Sequence, residues 1–208
     1  MKIFLIGASG MVGSRILSEA VSRGHEVIAG ARNPERIAAA KGVIATKVEL
    51  SDVDTLSQLA TTADVIVAAV SPRSGGDPVT EATTNGAAMM AVAEASGRRL
   101  VMVGGAGSLN LPDGTPVVQQ VPEPYRAEAM GMRAVYATLK DSGLDWTYFA
   151  PAGQIQPGTR TGKFRLGKDV LVTAADGNSS ISAEDYAFAL VDELERPANR
   201  KSIMTIGY

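Results

Sequence analysis

The chain has 208 residues, 45% of them hydrophobic, which suits one domain with a sizeable core and argues against disorder. A formal net charge of −2 lacks the basic excess of a nucleic-acid binder, and no apolar run approaches the ~20 residues that cross a bilayer. With no cysteine and a single histidine, His25, there is no disulfide framework, thiol nucleophile or histidine-rich metal site, and no metal is expected.

Lys2-Ile3-Phe4-Leu5-Ile6 is an apolar run that predicts a strand buried on both faces. Met1-Lys2 leads straight into it, so no signal peptide is expected and the location reads as cytoplasmic. The run enters Gly7-Ala8-Ser9-Gly10-Met11-Val12-Gly13, and a helical pattern follows over 14–23. Strand, glycine-rich turn and helix in that order are the setting of a dinucleotide fingerprint, here spaced G-x-x-G-x-x-G. Gly7 suits the tight turn and Gly10 leaves room for a pyrophosphate. Gly13 has no side chain to hold the helix off the sheet. Helix-start N–H groups, with those of Ser9, Met11 and Val12 nearby, would face the phosphates.

A second strand is predicted from His25 to Ala31, followed by a helix over 34–41 capped by Asn33 with Pro34 at its first position. Arg32 then stands at the strand's carboxyl end, where an NAD site carries an acid for the ribose 2′-hydroxyl. A cation there suits a 2′-phosphate, so NADP(H) is expected in preference to NAD(H). The third strand, 43–50, ends at Ser51-Asp52, which suit both an adenine edge and the cap of a helix over 53–61. The fourth, 64–70, brings Ala69 and Val70 beside the cofactor.

A polar loop over 71–78 leads into a helix over 79–96, whose Met89 and Met90 read as core fillers. The fifth strand, 99–103, runs into Gly104-Gly105-Ala106-Gly107-Ser108, and the long segment 105–122 has the length of a functional loop. A helix over 123–142 and a strand over 145–150 lead to Pro151-Ala152. Beyond them lie short β-like pieces at 163–166 and 170–172, a capped helix over 183–195 and a closing strand over 202–207. The expected architecture is α/β, a doubly wound parallel sheet (Rossmann fold) forming a single domain over 1–208, with 151–181 as a small C-terminal substrate-side lobe.

The Gly7-x-x-Gly10-x-x-Gly13 turn, Arg32, Val103-Gly104-Gly105-Ala106-Gly107-Ser108, Trp146-Thr147-Tyr148-Phe149-Ala150-Pro151 and Ile181-Ser182-x-x-Asp185-Tyr186-Ala187 resemble the atypical short-chain dehydrogenase/reductases. Within them the chain is similar to the NAD(P)H-binding NADH-flavin reductase branch, related to biliverdin reductase B and the NmrA-like proteins. The resemblance implies a tyrosine proton donor with a lysine four residues on. Tyr136 and Lys140 have that spacing but lie late in their helix, which reads as a helix-surface pair. Tyr125 sits at the helix start, and four residues after it comes Ala129.

Without the lysine, acceptors that delocalise the arriving charge are favoured, and the expected activity is hydride transfer from NADPH to a flavin or quinone-like small molecule. Tyr125 and Ser108 are the candidate catalytic groups, with Pro151 and Ala152 facing the substrate. Gly7, Ser9, Gly10, Met11, Val12, Arg32, Asn33, Ser51, Asp52, Ala69, Val70, Gly104 and Gly105 are the candidate cofactor contacts. The alternative is a non-catalytic NADP(H)-sensing regulator of NmrA-like type. Neither nucleic acid nor membrane is expected as a partner, and the chain is expected to be a monomer or homodimer.

Overall fold

A computed structural model of the chain describes residues 1–72 and 75–208. Arg73 and Ser74, part of the expected polar loop, lie outside the described residues. Strand β1 (Lys2–Ile6) pairs in parallel with β2 (Glu26–Ala31) on one side and β4 (Val65–Ala68) on the other. β3 (Val43–Lys47) extends the sheet beyond β2, and β5 (Arg99–Val103) and β6 (Trp146–Ala150) extend it beyond β4. β10 (Ser202–Gly207) lies parallel to β6, and β8 (Arg165–Gly167) closes that side antiparallel to β10. The order β3-β2-β1-β4-β5-β6-β10-β8 reverses direction at β1, as in a Rossmann-type sheet.

Both faces of the sheet are covered, so the central strands need apolar residues at every position. Ile3 and Leu5 face α1 (Met11–Ser22) and α5 (Ala183–Glu195). Phe4 and Ile6 face the layer built from α2 (Val53–Thr61), α3 (Pro78–Ser96) and α4 (Glu123–Lys140). All four are essentially buried, each worth about 2 kcal/mol by apolar area.

Several boundaries differ from the sequence expectation. α1 begins at Met11, not 14, because Gly10 itself serves as the N-cap. The helix expected over 34–41 is a single 3-10 turn, Pro34–Arg36. Asn33 makes no side-chain cap bond there, and Ile37 turns extended to reach the core, ending the helix despite the alanines that follow. β3 stops at Lys47 and β4 at Ala68, short of 50 and 70, and α4 ends at Lys140. The segment 105–122 contains two 3-10 turns, Ala106–Ser108 and Val117–Gln120. Asn110 bridges to Pro116 and Val170, so the piece expected at 170–172 is a single bridge instead of a strand.

After Ala150 the chain forms a separate two-stranded parallel sheet, β7 (Gln154–Gln156) with β9 (Ser180–Ser182), whose Ile155 and Ile181 pack on the α1/α5 side. Arg160 ties this segment down, reaching Glu19 of α1 at 2.9 Å while its guanidinium lies 4.2 Å over the Phe188 ring.

Asp185 is the second tie. Its carboxylate accepts from Thr161 N–H at 2.8 Å, Thr161 Oγ1 at 2.6 Å, Gly162 N–H at 2.8 Å and the Tyr208 hydroxyl at 2.8 Å. Burial works to raise its pKa, but the bonds from Thr161, Gly162 and Tyr208 together hold it below the usual aspartate value. A depressed carboxyl contributes stability in full above its unfolded value, about 4, and loses it as the pH falls through the folded value. Denaturant midpoints measured from about pH 6 down to pH 3 should therefore drop toward acid in the wild type. Asp185→Asn should show a smaller drop, and an equal slope in both would remove Asp185 from the acid response.

Candidate functional site

The carboxyl ends of β1, β2 and β4 come level with one another, Ile6 standing beside Gly30 and Ala68. Beyond them the chain turns sharply. Gly7 and Ala8 both donate their N–H to the Gly30 carbonyl at 2.9 and 3.1 Å, and Gly10 N–H returns to the Gly7 carbonyl at 3.0 Å. Gly7 has φ +88°, and a Cβ on it would stand 2.2 Å from the Ala69 carbonyl oxygen. A Cβ on Gly13 would stand 2.1 Å from the Gly7 carbonyl oxygen, which is how closely α1 lies against the turn. The Ser14 N–H closes the first helical bond onto the Gly10 carbonyl at 2.9 Å, and the Met11, Val12 and Gly13 N–H groups before it have no backbone acceptor among the described residues.

This turn forms one wall of an open cavity of about 450 Å³. Gly7, Ser9, Gly10 and Met11 line it, as do Arg32 and Asn33 after β2 and Ala69 and Val70 after β4. Ser51 lines it as well, whereas Asp52 turns away and caps α2, its carboxylate taking the Thr55 N–H at 3.1 Å. Val12 does not line the cavity.

Four lining side chains, Arg36, Glu49, Glu81 and Asn85, escaped the sequence reading. Arg36 stands on the same rim as Arg32, and both are exposed and free of side-chain ion pairs among the described residues. The four-residue spacing of the two arginines was the available signal, hidden by the expected longer helix. Glu81 and Asn85 come from α3, which the crossover after β4 folds over the opening. Glu49, after β3, is the other carboxylate on the lining.

The remaining candidates lie farther along the same edge, outside this cavity. Gly104 and Gly105 follow β5, and a Cβ on Gly104 would fall 2.2 Å from the Tyr148 ring. Pro151 and Ala152, after β6, are both buried. Tyr125 sits in the first turn of α4 with 65% of its surface exposed. Tyr136 is half-buried, its ring 5.0 Å from that of Tyr148 and 6.2 Å from Trp146, a packing residue more than a surface one. His25 bonds Glu195 at 2.9 Å before β2 begins, at the end of the sheet opposite the cavity.

Ser108 is buried, and its Oγ lies 3.0 Å from the Tyr148 hydroxyl. The single Tyr148 proton goes to the Met132 carbonyl at 3.0 Å, so in that pair Ser108 is the donor. Its proton is therefore committed within the protein. Burial pushes the Tyr148 pKa up to about 12, which keeps that phenol neutral. Ser108 thus holds a wall in place here and is not aimed outward as an acid.

A glycine turn closed to a Cβ at Gly7 and Gly13, helix-start N–H groups without a backbone acceptor, and two guanidinium groups at the rim unpaired among the described residues together fit a molecule with a diphosphate and a further anionic group. Comparison with known proteins agrees with that chemistry. The sequence model of a family described as NAD(P)H-binding matches residues 7–197. The uncharacterized protein YwnB of Bacillus subtilis is 34% identical over 99% of this chain and 98% of its own. Among solved structures, a Bacteroides thetaiotaomicron protein provisionally named an epimerase superposes with a TM-score of 0.92 at 38% identity, covering 100% of this chain and 96% of its own. A Streptococcus pneumoniae protein provisionally named an NADH-flavin reductase superposes with a TM-score of 0.82 at 28% identity, covering 100% and 99%. Those two names stand for different reactions on one fold, so the reaction has to be argued from the site.

Proposed function

Because the chain belongs to the NAD(P)H-binding family, we propose that it is an NADPH-dependent reductase passing hydride to a flavin or quinone-like acceptor. The observation that carries the NADPH preference is the pair Arg32 and Arg36 on the cavity rim, with a cation at the β2 end where an NAD site has its acid. Gly7, Gly10 and the start of α1 would take the diphosphate, and the two arginines the 2′-phosphate. Ala69, Val70, Gly104 and Gly105 are small enough to leave the nicotinamide end open, and Pro151 and Ala152 would back the acceptor. Bound there, the reduced nicotinamide supplies the hydride.

The acceptor class follows from what the site residues offer. Ser108 has its proton engaged by Tyr148, and Tyr125 is exposed with Ala129 one helical turn on. A conjugated acceptor needs no strong protein acid, because it spreads the arriving charge and can take its proton from water. The chain then orients the partners and excludes competing water. Tyr125 is proposed as a hydrogen-bond donor to the acceptor rim. A cytoplasmic setting belongs to the same proposal, since reduced nicotinamide is drawn from that pool.

The same shortage of an acid keeps a second reading in play, an NADP(H)-responsive regulator without turnover. A steady-state assay of NADPH oxidation with flavin mononucleotide and a simple quinone separates them. Turnover dependent on either acceptor is the expected result. Tight NADPH binding with no turnover on both would overturn the reductase in favour of the regulator.

A further inference from the structure

We propose that the Tyr148 hydroxyl is the positioning group for the 104–108 wall, fixing it where the nicotinamide ring is to be received. The inference rests on the reading of the cavity as an NADPH site and adds a residue that touches neither cofactor nor acceptor.

Three observations converge on Tyr148, and a fourth bears on the segment it holds. Tyr148 lies on β6 with no exposed surface, and its ring fills the space that a Cβ on Gly104 would take. Its oxygen accepts the Gly105 N–H at 3.3 Å and the Ser108 hydroxyl at 3.0 Å, gripping the segment at both ends. Its proton goes to the Met132 carbonyl, which references the grip to α4. Arg133, the next residue on α4, donates to the Gly107 and Leu109 carbonyls at 3.1 and 3.3 Å and holds the same segment from the far side. One phenol thus sets the distance between β6, α4 and the glycines that follow β5. The 104–108 stretch begins at the strand next to β4, and Ala69 and Val70, which follow β4, line the cavity. A shift of the stretch therefore changes the nicotinamide end and leaves the adenine end, across β1 and β2, where it was.

That asymmetry makes the idea testable apart from fold stability. Tyr148→Phe keeps the ring and removes the oxygen, stranding the Gly105 N–H and the Ser108 hydroxyl. Binding of 2′,5′-ADP, which lacks the nicotinamide half, should stay within about twofold of wild type, while NADPH should bind about tenfold more weakly. The change in nicotinamide fluorescence on binding should shrink in parallel. With a saturating quinone, kcat should fall at least about tenfold, with a smaller change in the KM for NADPH, because misplacement costs more in the reacting geometry than in binding.

A residue that only supports the core would lower the melting temperature and leave the ratio of NADPH to 2′,5′-ADP affinity at its wild-type value; that result overturns the proposal. If Tyr148→Phe does not fold, Ser108→Ala takes its place, read by the same ratio. A selective loss for NADPH upholds the proposal and an unchanged ratio sinks it. Absence of turnover in the wild type would defeat the reductase reading, while the two binding measurements would still decide the role of Tyr148.

Discussion

Gly13→Ala should abolish cofactor binding, with affinity for NADPH lowered by about a hundredfold or more and the melting temperature reduced. The added methyl would lie 2.1 Å from the Gly7 carbonyl oxygen and 2.9 Å from its carbon. Both are backbone atoms, held by the bonds from Gly7 and Ala8 to the Gly30 carbonyl, so neither can swing aside. Relief comes only by lifting α1 off β1, which carries the helix-start N–H groups away from the cavity. Gly10→Ala is the matched control. Its Cβ would meet the Gly7 oxygen at 3.3 Å, tolerable to the fold, but Gly10 lines the cavity. It should lose binding while keeping most of its thermal stability. Wild-type affinity in Gly13→Ala, measured by titration beside a thermal melt, would show that the turn does not carry the diphosphate.

The second large effect concerns the choice of cofactor. Arg32→Ala should weaken NADPH about ten- to a hundredfold, the scale of one or two charge-assisted hydrogen bonds, and leave NADH within about twofold. Arg36→Ala should act in the same direction, and the double variant should bind NADPH and NADH about equally. Raised ionic strength should mimic part of the loss, because both guanidinium groups are exposed. Equal losses for the two cofactors would show that the pair does not read the 2′-phosphate. Glu49 and Glu81 on the lining put negative charge in the same cavity, so the measured preference is the balance of all four side chains.

The central strands and the glycine turn were legible because their signals are local. Val65–Ala68 is apolar at every position, and Gly7, Gly10 and Gly13 announce a turn by spacing alone. Arg32 was legible for the same reason, standing one residue past the end of β2. What escaped depends on long-range contact. Arg36 was hidden because Ile37 leaves the helical path to join the core, a choice the alanine-rich sequence after it does not reveal. Asn85 and Glu81 reach the cavity only once α3 has folded back over β4. Ser108 reads from the sequence as a donor to the acceptor or as a turn cap, until Tyr148, forty positions later, is seen to take its proton. Strand β9, three residues long, carries too short a pattern to register.

The insertion of β10 between β6 and β8 dictates when this molecule can finish assembling. A growing chain that has released β6 still shows water a bare row of N–H and C=O groups along it, and β8 has no neighbour to join. Residues 202–207 satisfy both at once, some fifty positions after β6 was made. Until they arrive, that raw border is open to other nascent chains, and the interval is when aggregation threatens most.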